Sequence, residues 1–100
     1  MLDADEVSEA IVLWSGKGDF PIPRRSEARV IARFGEDRGL DLLPRVRQLE
    51  HEFYESKAYA IGSDLAAVGR KAAEEFRMRH PEISEAAVHA LAWCYTWDWR

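Results

Sequence analysis

Cysteine occurs once in these 100 residues, at Cys94. An intramolecular disulfide is therefore excluded, and a reducing compartment is the simplest expectation. Long hydrophobic runs are also missing. The most apolar stretch, Ala86 to Trp97, is interrupted by His89 and is shorter than the roughly 20 residues that a bilayer span needs. The N-terminus carries Asp3, Asp5 and Glu6, with neither a basic leader nor an apolar signal core. These features together predict a cytoplasmic protein that does not engage a membrane. A basic excess is lacking too. Eighteen acidic residues against fourteen basic ones give a formal charge of −4, which argues against a general nucleic-acid binder.

No segment alternates polar and apolar residues with a sustained period of two, so no sheet is expected. No internal repeat, low-complexity run or linker divides the chain. A chain of this length buries about two-thirds of its unfolded surface, enough for a core without metal or disulfide staples. The expected fold is all-α: a compact single-domain bundle of four to five helices spanning residues 1–100, with a largely apolar C-terminal helix at its centre.

The helices are read from caps and period. Asp3, with Glu6 three positions on, has capping-box spacing, and Val7, Ala10, Ile11 and Trp14 form one apolar stripe. Gly16 is the expected left-handed cap. Two glycines and two prolines make Ser15 to Pro23 a loop, which Phe20 and Ile22 are expected to pin to the core. A short second helix begins near Pro23 or Ser26, turns Ala28, Ile31, Ala32 and Phe34 inward, and ends at Gly35. Glu36 to Gly39 reads as a polar turn. Asp41 is the expected cap of a third helix with Pro44 in its first turn, Leu42, Val46, Leu49 and Phe53 inward, and an end near Lys57. Tyr59 to Gly62 is the next connection. Ser63 or Asp64 caps a fourth helix with Leu65, Val68, Ala72 and Phe76 inward, which His80-Pro81 stops. Ser84 caps the fifth.

That last helix is unusual. At about 100° per residue, Val88, Leu91, Ala92, Tyr95 and Trp99 form one stripe. Ala86, Ala90, Trp93 and Trp97 form another on roughly the opposite side, with Ala87 and Cys94 between them on one flank. Only a narrow arc holding Glu85, His89, Thr96 and Arg100 is polar, apart from Asp98 in the last turn. A helix apolar over most of its circumference has to be covered on most sides.

Candidate chemistry is sparse. His51 and Glu55 have the spacing of two metal ligands on a helix, but a second histidine is absent there, and a solvated face explains them better. Gly16-Lys17-Gly18 lacks the spacing and the preceding strand of a phosphate loop. Arg24 and Arg25, at a helix start, form a candidate anion site, because free backbone N–H groups would help them. The blander account is solvated arginines paired with nearby acids. Glu85 and His89 form a possible acid–base pair that is more often a surface contact. Cys94 has no basic residue within a helical turn to lower its pKa.

The least ordinary feature is the aromatic cluster Trp93, Tyr95, Trp97 and Trp99. If neighbours on both sides do not cover it, it is an interaction surface, since Trp and Tyr are enriched at interface hot spots. The expected function is therefore a small non-catalytic helical protein acting through protein–protein contact, with Trp93, Trp97 and Trp99 as interaction residues. The partner is a second copy of the chain in a homodimer, or another protein, with immunity or antitoxin proteins as one possible instance. No catalytic residue, metal or cofactor is assigned. The alternative is a small-molecule binder or enzyme with a pocket near Trp93, Trp97, His89 and the Arg24/Arg25 pair.

Overall fold

The computed structural model, described over residues 2–55 and 64–98, contains five α-helices that hold about three-quarters of those residues, and no strand among them. The first, α1 (Ala4–Ser15), starts and stops as its caps require. The Asp3 carboxylate accepts the backbone N–H groups of Asp5 at 2.7 Å and Glu6 at 3.4 Å. Gly16 has φ +83°, and its N–H closes on the carbonyls of Val12 and Leu13. A Cβ there would also stand 2.7 Å from the Phe20 ring, so glycine is required twice over.

The loop that follows folds back on the end of α1. Arg24 donates its N–H to the Ser15 carbonyl and Ser26 donates to that of Trp14, both at 2.9 Å. Phe20 is half-buried, with the guanidinium carbons of Arg24 and Arg29 at 4.9 and 5.3 Å from its ring centre. Ile22 does not pin the loop as expected: it is exposed.

Helix α2 (Glu27–Phe34) turns a different face inward from the one predicted. Val30 is fully buried, with Ile31 and Phe34 partly so, while Ala28 and Ala32 lie exposed. The larger side chains decide the rotation, because burying them removes more apolar area from water than burying two alanines.

The expected turn at Glu36 to Gly39 and the cap at Asp41 are corrected by the structure. Helix α3 (Glu36–Tyr54) begins directly after Gly35, whose φ of +88° makes the whole corner. Gly39 is inside the helix because α2 passes close by: a Cβ there would meet Ile31 Cα and Cγ1 at 3.0 Å. Pro44 thus sits well inside the helix rather than in its first turn. It has no N–H for the Leu40 carbonyl, but both residues are exposed and water can serve that acceptor. Leu42, Val46, Leu49 and Phe53 are fully buried, as their period predicts. Lys57 and the connection Tyr59 to Gly62 lie outside the described residues.

Asp64 caps α4 (Leu65–Arg79) by accepting the Ala67 N–H at 2.9 Å, and Val68, Ala72 and Phe76 are buried. Ser84 caps α5 (Glu85–Asp98) by accepting the Ala87 N–H at 3.2 Å. Its own N–H donates to Ser8 Oγ of α1 at 2.9 Å. Helix α5 packs against α1, α3 and α4 and is the centre of a single all-α bundle. Val88, Leu91 and Tyr95 carry no exposed surface, and Tyr95 meets Phe53 and Tyr54 edge-on at 5.5 and 5.2 Å. No helix among the described residues is long and apolar enough to cross a membrane.

Candidate functional site: the groove between α4 and α5

Gly69 lies against Thr96, and eight residues further along α4 Arg77 bonds Glu85, eleven residues back along α5. The two helices therefore run antiparallel. A Cβ at position 69 would fall 2.5 Å from Thr96 Cγ2, so the glycine sets how closely they approach. Above this contact an open groove of about 770 Å³ runs between them. Small residues, Ala66, Gly69, Ala73 and Ala92, leave the space, and Trp93 supplies an aromatic wall. The polar lining comes from Arg70, Glu74 and Arg77 on α4 and from His89 and Thr96 on α5.

Arg77 clamps Glu85 at two points, Nε to Oε1 at 2.8 Å and Nη2 to Oε2 at 2.9 Å. These hydrogen bonds hold the Glu85 carboxyl below its ordinary pKa. A carboxylate so stabilised is a poor proton acceptor, and His89 stands 3.7 Å from it with an exposed side chain. The pair is a helix-surface contact rather than a built acid–base couple.

The second apolar stripe of α5 is covered unevenly. Ala90 is fully buried, Trp93 and Trp97 are half-buried, and Ala86 is exposed. Lys17 Nζ lies 5.5 Å from the Trp93 ring centre, so the loop after α1 reaches this residue. Trp99 lies outside the described residues. Of the pocket anticipated from the sequence, the structure brings Trp93 and His89 to one groove, while Trp97, Arg24 and Arg25 are not among its lining residues.

The two arginines turn to different neighbours. Arg24 lies over Phe20. Arg25 donates from Nε to Glu50 at 2.9 Å and from Nη2 to Tyr54 Oη and Asp98 at 2.8 and 2.9 Å, and it lies over Trp14. Tyr54 in turn donates its hydroxyl proton to Asp98. Burial works against the Arg25 charge, but hydrogen bonds and attraction from Glu50 and Asp98 outweigh it and raise its pKa. Burial, followed by the bond to Asp98, raises that of the Tyr54 hydroxyl. An arginine held by two carboxylates has little charge left for an anion, and its evident role is to tie the loop to the ends of α3 and α5.

The remaining candidates have local roles. The Cys94 thiol has no exposed surface, and burial pushes its pKa up to about 11, so it is a protonated core group at neutral pH. His51 is exposed in the last turn of α3, 3.9 Å from Glu55. His80 stacks on Phe76 and reaches Glu52 at 3.2 Å and Glu82 at 3.5 Å. Among the described residues no three His, Cys, Asp or Glu side chains group as a metal site would need.

The α4 side of the groove went unnoticed in the sequence. Arg70, Glu74 and Arg77 look like any solvated helix face. The one available signal was Gly69, because a glycine inside a helical period marks a close approach. The chain matches no protein family, no curated protein and no solved structure in these comparisons.

Proposed function

We propose that the protein acts in the cytoplasm, without catalysis of its own, by binding another polypeptide along the α4–α5 groove. The observation that supports this reading is the groove itself. It is an elongated channel between antiparallel helices, with small residues along its length, one tryptophan wall, and charges of both signs at its rim. That is the form in which a surface accepts an amphipathic helix: a hydrophobic anchor enters the channel and the rim fixes register. The cytoplasmic part of the proposal rests on the single, fully buried cysteine, which suits a reducing compartment.

A small-molecule ligand is the second reading, favoured by one observation. The groove volume falls in the range of about 300–1,000 Å³ found for ligand sites, and Trp93, His89 and Arg70 converge on it. Against it stands the openness of the channel, which would leave much of a small ligand in water.

Ala66 is exposed at the groove, so Ala66→Arg fills the channel without touching the core. Tagged wild type and Ala66→Arg, matched for helicity by circular dichroism, are to be compared for capture of protein partners from the host and for self-association. A partner held by wild type and lost by the variant is the expected result. If every protein bound by wild type is retained by Ala66→Arg, the groove is not the contact face.

A further inference from the structure

Two charges at the groove have no ion pair among the described residues, and their spacing bears on the partner. Arg70 is exposed and has neither an ion pair nor a hydrogen bond among the described residues. Glu74, one helical turn on, forms no ion pair there either. Arg77 feels its charge but is clamped by Glu85. Among the described residues the patch therefore offers one unpaired cation and one unpaired anion on the same helix face.

Because Gly69 is level with Thr96 across the antiparallel pair, Trp93 is level with Ala72, midway between Arg70 and Glu74. A two-fold axis lying in the interface, perpendicular to the two helices at that level, would bring Trp93 opposite Trp93 of a second copy. The same axis sets Arg70 of each copy level with Glu74 of the other, making two reciprocal ion pairs from one patch. Met78, at 85% the most exposed large hydrophobic residue described, would lie level with the second copy's Ala66. An isologous interface needs this self-complementarity, in which one surface supplies both members of every contact. A foreign partner would not require the charges to balance about a point.

We infer that the polypeptide the groove binds is a second copy of this chain, paired about a two-fold axis through the Trp93 level, with Arg70 and Glu74 setting the register. The inference rests on the groove-binding reading above and names its partner. Two helices some 20 Å long and each about 10 Å wide present a face of about 400 Å² in projection, below the roughly 800 Å² per partner of a standard interface. A contact of this size is small for a stable dimer, so its formation should depend on protein concentration.

Sedimentation equilibrium between about 5 and 500 µM tests this. Wild type should rise from 11.5 kDa toward twice that mass across the range. Arg70→Glu and Glu74→Arg each place like charges opposite one another twice, so each alone should weaken association about tenfold or more. The double variant restores both pairs with their signs exchanged and should recover wild-type association to within about threefold. Both residues are exposed, so circular dichroism should show all three variants folded as wild type is. A dimer indifferent to the single exchanges, or a double variant no better than the singles, overturns the proposed axis. A wild type that stays at 11.5 kDa at the highest concentration overturns the second copy as partner, while the Ala66→Arg capture experiment still decides whether the groove binds another protein.

Discussion

Leu91 has no exposed surface and sits on the side of α5 that faces the rest of the bundle. Leu91→Ala removes that side chain from a packed site, and chemical denaturation should show a loss of roughly 2–5 kcal/mol from transfer and cavity terms together. A loss below about 1 kcal/mol would mean that the centre of the bundle is elsewhere. Glu85 permits a second test at single-residue scale. Its folded pKa lies below the ordinary value because Arg77 bonds its carboxylate. The pair's contribution is thus present above the ordinary carboxylate range and is lost as pH falls through the folded value. Arg77→Gln should shift the Glu85 carboxyl titration, followed by carbon NMR, upward toward an ordinary glutamate. No movement would mean that the clamp does not persist in water. Residues of this kind also show why the site was only half legible. Trp93 and His89 stand out because tryptophan and histidine are rare and lie on a helix of clear period. Arg70 and Glu74 differ from other surface charges only in what α5 places beside them, which no local pattern encodes.

Among the elements, α3 departs most from expectation. Asp41 and Pro44 resemble the start of a helix, and Gly39 resembles its preceding turn, yet all three lie inside α3. The glycine at 39 serves the neighbouring α2 backbone. That gives a prediction whose sign depends on competing magnitudes. Gly→Ala inside a helix ordinarily stabilises by up to about 1 kcal/mol. At position 39 the added methyl would stand 3.0 Å from Ile31 Cα, and forcing helices apart costs about 1–3 kcal/mol. Gly39→Ala should therefore destabilise, by about 1 kcal/mol on thermal or chemical melting. A stabilised variant would mean that α2 moves aside freely. Caps acting within a few residues, at Asp3, Gly16, Asp64 and Ser84, were legible in the sequence for the opposite reason: their chemistry is local. The rotation of α2 was not, because it depends on what waits for Val30 across the core.

On the scale of the whole molecule, two kinds of attachment divide the bundle. Helix α5 is held on three sides by buried hydrocarbon, whereas α2 packs on α1 and α3 with Val30 as its one fully buried side chain. Half-buried Ile31 and Phe34 add to that hold, and the rest of its contacts include several surface ion pairs. Arg29 pairs with Asp19 and also donates to the Leu13 carbonyl, Arg33 reaches Glu9 of α1, and Glu27 reaches Arg47 of α3. Exposed ion pairs are screened by dissolved salt, while hydrophobic burial is not weakened by it. Amide hydrogen exchange should consequently find α2 opening at lower free energy than α5. Raising sodium chloride from about 0.05 to 0.5 M should speed exchange in α2 several-fold and leave the α5 amides nearly unchanged. Equal protection of the two helices at every ionic strength would show one cooperative unit instead. If the two respond differently, ionic strength becomes a handle that loosens one helix from its seat while the α4–α5 groove keeps its shape.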